Sequence, residues 1–300
     1  MFSVQTCLPP GDHGALLTES TMELETIIFG DPHCGFDAID EVADEIDPAR
    51  PPVCIFLGDF GFDDRVKIKG ERREKCPHVD GRSADEILRP LAELGCQILH
   101  VRGNHDLDND GQYGAVISSR ILGPGHLHLR VMDVGGVRIA GLDGVFGGPW
   151  NPDGEEKGIK NSRRADTRQE FIETTVGYWH DDDPLRLKGP KLYRHALESE
   201  PGLQMGHRKY IFPEDIEYLR SLRADVLVSH EAPRSPALDD GFNILGQVAA
   251  EMGVKAVIHG HHHWDYRSET ADGIEVMGVG RRSVLKLDLA RYSSERVLSF

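Results

Sequence analysis

Val257-Ile258-His259-Gly260-His261-His262-His263 is an apolar strand that runs straight into Gly-His-x-His. A glycine followed by imidazoles at i and i+2 on a strand-end loop can aim two ring nitrogens at one point, as a metal site requires. Four earlier strand-like runs also end in oxygen or nitrogen ligands. They are Ile27-Ile28-Phe29-Gly30 before Asp31-x-His33, Ile55-Phe56-Leu57-Gly58 before Asp59, Ile98-Leu99-His100-Val101 before Gly103-Asn104-His105-Asp106, and Val226-Leu227-Val228-Ser229 before His230. Five strand ends are expected to meet at one place.

Between these strands the apolar spacing alternates with helical periods, the pattern of an α/β chain. Phe36, Ile39, Val42, Ala43 and Ile46 recur at helical spacing, and Ser83-x-x-Glu86 resembles a capping box opening a helix that Gly95 closes. A shorter helix is expected over residues 113–122. Residues 126–134 and 137–143 read as strands joined at Gly135-Gly136, a hairpin signal that turns the sheet antiparallel. Pro213-Glu214-Asp215 opens a helix, and another over residues 244–252 ends at Gly253. Strand-like runs near 274–280 and 283–289 close the chain.

Residues 146–210 break this rhythm. They hold Gly147-Gly148-Pro149 and Trp179-His180-Asp181-Asp182-Asp183-Pro184, and residues 191–197 have a helical look. A span this long between strands reads as an inserted, partly helical cap or loop region. Residues 1–22 read as an irregular tail and 23–300 as one domain carrying the insertion, with Met22 as a second possible start.

The 300 residues, 39% hydrophobic and 28% charged, suit a globular chain. The net charge of -16 argues against general nucleic-acid binding or an anionic membrane partner, because both need a basic face to displace counterions. Five cysteines with no C-x-x-C pair argue against a disulfide framework or zinc ribbon, and a reducing cytoplasm fits. No apolar run approaches the roughly 18 residues of a membrane span. Oligomeric state is not legible.

Asp31, His33, Asp59, Asn104, His230, His261 and His263 are too many ligands for one four-coordinate ion and suit two ions sharing one. Asp59 is the natural bridge. Two divalent cations, two carboxylates and a hydroxide sum to about +1, which attracts a phosphoryl dianion. The mixed nitrogen and oxygen set favours manganese, with iron or zinc as alternatives.

The five motifs, in this order, resemble the calcineurin-like metallophosphoesterases over roughly residues 25–290. The resemblance implies a four-layer α/β/β/α sandwich with mixed sheets and the metals at strand C-terminal ends. It implies one metal on Asp31, His33, Asp59 and His263 and the other on Asp59, Asn104, His230 and His261. It further implies in-line attack of metal-bound hydroxide on a small phosphomonoester or phosphodiester, nucleotides included. His105 would stabilise the transition state or protonate the leaving oxygen, with Asp106 orienting its ring. Arg281 and Arg282, after a strand near the metal loop, are candidate substrate contacts, since guanidinium forks suit phosphate.

Blander readings stand beside these. Taken singly, Asp31-x-His33 could be a turn, Asp59 a helix cap and Gly103-Asn104 a left-handed bend. His262 is expected to point away from the metals, His100 to be a hydrogen-bonded core residue, Cys34 to pack, and His180, His195 and His207 to lie on the surface of the insertion. Gly58-Asp59-Phe60-Gly61 departs from the protein phosphatase pattern, and Gly278-Val279-Gly280-Arg281 replaces the turn that many bacterial members carry. Two other activities remain in view: a nuclease on the same fold, and a non-catalytic interaction module. The module would be marked by missing ligands, and every ligand is present.

Overall fold

The computed structural model describes residues 24–62, 82–107, 110–160, 162–176 and 207–294. Two sheets face each other. The first runs β10-β1-β2-β3, from β1 (Glu25–Phe29), β2 (Val53–Phe56), β3 (Gln97–His100) and β10 (Val284–Asp288). Here β1, β2 and β3 are parallel and β10 is antiparallel to β1. The second runs β4-β5-β6-β7-β9-β8, from β4 (Val131–Val134), β5 (Val137–Leu142), β6 (Val226–Ser229), β7 (Ala256–His259), β8 (Tyr266–Glu269) and β9 (Glu275–Gly278). Its centre is parallel and both edge strands are antiparallel.

Residue alternation along each strand builds the layers. In β1, Ile28 faces inward, where it joins Ile55, Leu99, Ile139, Val226, Val228, Ile258 and Met277 in the core between the sheets. Its neighbours Ile27 and Phe29 face outward with Phe56 and Ile98, under α1 (Asp37–Glu45), α2 (Ala84–Glu93) and α3 (Asp110–Ser118). On the far side, Leu142, Leu227 and Val257 pack under α6 (Pro213–Ser221) and α7 (Asn243–Met252). Helix, sheet, sheet and helix make the four layers that the family resemblance implied.

The helix signals act as read. Ser83 and Glu86 form the reciprocal capping box of α2, and Gly253 ends α7 in a left-handed conformation at φ 77°. Several boundaries differ. α3 starts and stops earlier than residues 113–122, because the Asp85 carboxylate takes the Ser119 hydroxyl and the Arg120 and Ile121 amides, drawing the chain out of the helix. Only residues 131–134 of the expected 126–134 strand are a strand. Leu129, at φ 53°, breaks it, leaving isolated bridges at His126 and His128. The hairpin at Gly135-Gly136 forms, but parallel pairing resumes at once between β5 and β6. The edge strand β8 had no signal strong enough to be read.

Of the insertion, the structure describes α4 (Pro152–Glu156), α5 (Arg168–Val176) and the turn at 207–212. The helical look of residues 191–197 falls outside the described residues, as do His180, His195 and the loop at 63–81. Among the described residues no helix is long and apolar enough to cross a membrane.

Candidate metal centre

The parallel strands of both sheets end at the same pole, and the loops leaving them bring the predicted ligands together. One ligand atom each from Asp31, His33, Asp59 and His263 fall within 4.8 Å of one another, and so do those of Asp59, His230 and His261. Asp59 belongs to both groups. Asn104 adds its side-chain oxygen, 3.2 Å from His230 Nε2. All seven predicted ligands are therefore in one place.

The backbone is bent to achieve this. His33, Asp59, His261 and His263 all have φ between 40° and 64°, the left-handed region that costs a non-glycine residue about 1–2 kcal/mol. Four such residues, all predicted ligands, mark strain concentrated where the side chains converge. Glycine makes the close approach possible. A Cβ on Gly103 would stand 2.2 Å from Asp59 Oδ1, and one on Gly260 would stand 2.2 Å from Asp31 Oδ1.

Hydrogen bonds sort the carboxylate oxygens into held and free. Asp59 Oδ1 accepts the His105 amide at 2.7 Å, and Asp31 Oδ2 accepts the His261 amide at 2.8 Å. The other oxygens, Asp59 Oδ2 and Asp31 Oδ1, are buried without a hydrogen-bond partner among the described residues. Two ring nitrogens, His33 Nε2 and His230 Nε2, stand 3.5 Å from Asp59 Oδ2. His230 Nδ1 donates to the Leu57 carbonyl at 2.7 Å, so in its neutral form the ring turns an Nε2 lone pair toward Asp59 Oδ2 and Asn104 Oδ1. Electron pairs converge there, an arrangement that divalent cations fit.

The protonation pattern reports the same field. Burial alone would lower His230, yet the carboxylates of Asp59 and Asp31 with the Leu57 carbonyl outweigh it and hold the ring up at about 10. Burial would raise Asp59, but His230, His105 and His33 together keep it below the usual carboxylate range. Burial prevails at His33 and His261, each lowered to about 4.

Two of the predicted site residues are engaged by backbone groups. Asp106 does not spend its carboxylate on the His105 ring. It is fully buried and accepts the amides of Asp59 (2.7 Å), Phe60 (2.8 Å) and Gly103 (2.8 Å), locking the Asp59 turn to the Asn104 turn. Burial and the Asp59 charge push it up to about 7 against the pull of those amides. Asp106→Asn should therefore cost about 2–4 kcal/mol of unfolding free energy in urea titrations, since an NH2 group would face backbone donors. Unchanged stability would contradict the locking role. Arg282, likewise, turns its guanidinium onto the Pro32 and His33 carbonyls (3.3 and 3.1 Å) and so props the Asp31 turn. Arg281 is exposed and close enough for its charge to lower His33.

His105 is exposed, with its ring centroid 5.3 Å from that of His33. His262 turns from the ligands to Glu231, at 3.3 Å. His100 is buried and stacks on His126 at 4.9 Å, but among the described residues its Nδ1 lacks the hydrogen bond expected of it. His207 packs edge-on to Phe171. Cys34 packs in the core under the first sheet's helices with Phe36, Phe60 and Phe62. Sequence reading missed Glu231 and also Asp143, which holds Arg102 (2.6 Å) and His126 (2.8 Å) beside the site. Position was the available signal: Asp143 follows β5 as Asp59 follows β2, and Glu231 adjoins His230.

The calcineurin-like phosphoesterase family model matches residues 24–265, most of the chain and every ligand motif. The chain belongs to this family. It is a metallophosphoesterase-family enzyme with a candidate dinuclear metal site. An uncharacterised protein of Haemophilus influenzae is 35% identical over 198 residues, covering 63% of this chain and 72% of the relative. A dimetal phosphatase of Danio rerio is 13% identical with a TM-score of 0.50, covering 89% of this chain and 93% of the other, a likeness of fold alone. The protein TT1561 of Thermus thermophilus aligns over 89% of this chain and 99% of its own, at 12% identity and a TM-score of 0.45.

Proposed function

We propose that this metallophosphoesterase hydrolyses small phosphate esters, monoesters or diesters with nucleotides among them. The observation that carries the reading is the pair of donor groups sharing Asp59, whose Oδ2 is buried and unpartnered among the described residues. Asp31, His33, Asp59 and His263 would hold one divalent cation, and Asp59, Asn104, His230 and His261 the other. Manganese suits the set, with iron or zinc as alternatives. When bound, such a pair supplies Lewis acidity to water and to the phosphoryl oxygens.

The chain's own groups do the rest. His105, exposed beside His33, meets the leaving oxygen and delivers a proton to it as the ester bond breaks. Arg281 offers a guanidinium to the non-reacting phosphoryl oxygens. Asp106 keeps the Asp59 and Asn104 turns at fixed separation, and Arg282 does the same for the Asp31 turn. The net charge of -16 favours small esters over nucleic acid.

The test is hydrolysis of p-nitrophenyl phosphate and bis(p-nitrophenyl) phosphate by chelated protein resupplied in turn with manganese, iron, zinc or nickel. Chelation should abolish turnover and one or more metals should restore it. The preferred ester then separates monoesterase from diesterase, and an oligonucleotide run in parallel tests the nuclease alternative. Bound metal without turnover on any ester would overturn the reading.

A further inference from the structure

The loops after β5, β6 and β7 meet at one carboxylate that the proposed chemistry does not use. Glu231 follows His230 directly and is only 3% exposed. Its Oε1 accepts the Ala232 amide at 3.0 Å and His262 Nε2–H at 3.3 Å, and its Oε2 accepts the Phe146 amide at 3.4 Å. Its own carbonyl is fixed by the Ser229 hydroxyl at 2.7 Å. His262 in turn lies between His261 and His263, its ring 5.1 Å from that of His261. The His262 amide also donates to the Gly260 carbonyl at 2.7 Å, which tightens the same loop.

We infer that Glu231 is a positioning residue, and that its hydrogen bond to His262 clasps the His230 loop to the His261 loop and so sets the geometry of the second cation site. The inference rests on the two-cation reading above. Three facts separate it from ordinary core packing. A buried carboxylate is costly unless it is paired, and among the described residues the one side chain donating to this one is His262. The segments it joins leave adjacent strands of one sheet, where the ladder itself does not fix the distance between loop tips. Finally, the residue it holds, His262, lies directly between the predicted ligands His261 and His263, so the bond acts on the stretch that carries them.

The predicted asymmetry is specific. The site of Asp31, His33, Asp59 and His263 has one ligand, His263, next to the clasp, whereas the other site has both its histidines, His230 and His261, next to it. Glu231→Gln keeps the shape and loses the charge. Calorimetric titration of manganese into the metal-free protein should resolve two binding events in the wild type. In Glu231→Gln one of the two events should lose about 10–100-fold in affinity while the other changes less than about threefold. His262→Ala should reproduce that loss, and the double variant should be no worse than either single one, because both act through the same charge-assisted bond.

Thermal melts of the metal-free proteins complete the test. A merely structural Glu231 would lower the melting temperature and leave both affinities of the folded protein unchanged, and that result would overturn the inference. If Glu231→Gln does not fold, His262→Ala, whose side chain is partly exposed, decides alone. A wild-type protein that binds none of manganese, iron and zinc would sink the two-cation reading and this inference with it. Equal affinities in wild type and variants would sink the inference only.

Discussion

Asp59→Asn should leave the protein folded but unable to keep two cations. Atomic absorption of the purified variant should give at most one metal per chain where the wild type gives two, and turnover should fall by roughly 10³-fold or more, since activation of the attacking water rests on bound metal. The geometry explains why no orientation of the amide suffices. Asp59 Oδ1 is occupied by the His105 amide and Oδ2 is the unpartnered oxygen common to both donor groups. An asparagine oriented to accept from His105 turns its NH2 into the shared position. The reverse orientation sets NH2 against the His105 amide and releases the turn. Two metals per chain with full turnover in this variant would remove Asp59 from the bridging position.

His105→Ala should do the opposite, keeping both metals while turnover drops about 10²–10⁴-fold, the range of a positioned proton donor. Its backbone amide, which alanine retains, is the part that holds Asp59. Its ring is exposed beside His33 and can be removed without opening the core. The loss should shrink on substrates with a good leaving group such as p-nitrophenol and be largest on alkyl esters, which need the proton. A variant equally impaired on both would place His105 in phosphoryl binding rather than in proton delivery.

The convergence of the seven predicted ligands was legible because each follows an apolar run that could only be a strand, and strand ends in a parallel sheet share a pole. The hydrogen-bonding partners of the ligands were harder to read. Asp106 reads in sequence as the companion of His105, but its carboxylate reaches back 47 residues to the Asp59 amide. Arg282 looked like a phosphate contact and is turned by its own left-handed backbone, φ 60°, onto the carbonyls of Pro32 and His33. Glu231 was invisible because an acid after a histidine has no distinguishing period. β8 escaped notice because Tyr266, Arg267, Ser268 and Glu269 alternate only half-buried with exposed positions, an edge pattern close to that of a loop.

The donors are divided between the sheets. Asp31, His33, Asp59 and Asn104 hang from strands of the four-stranded sheet, and His230, His261 and His263 from strands of the six-stranded one. Between those sheets lies an apolar core, which resists separation but sets little preference for how one sheet slides over the other. A cation pair gripped from both sides acts as a rivet through that plane. Each ion binding the folded chain alone adds about 2.7 kcal/mol of stability when its free concentration is a hundred times its dissociation constant. The working life of this protein against heat and proteolysis should thus follow the metal supply around it, so that starvation for the metal would clear the enzyme as well as silence it.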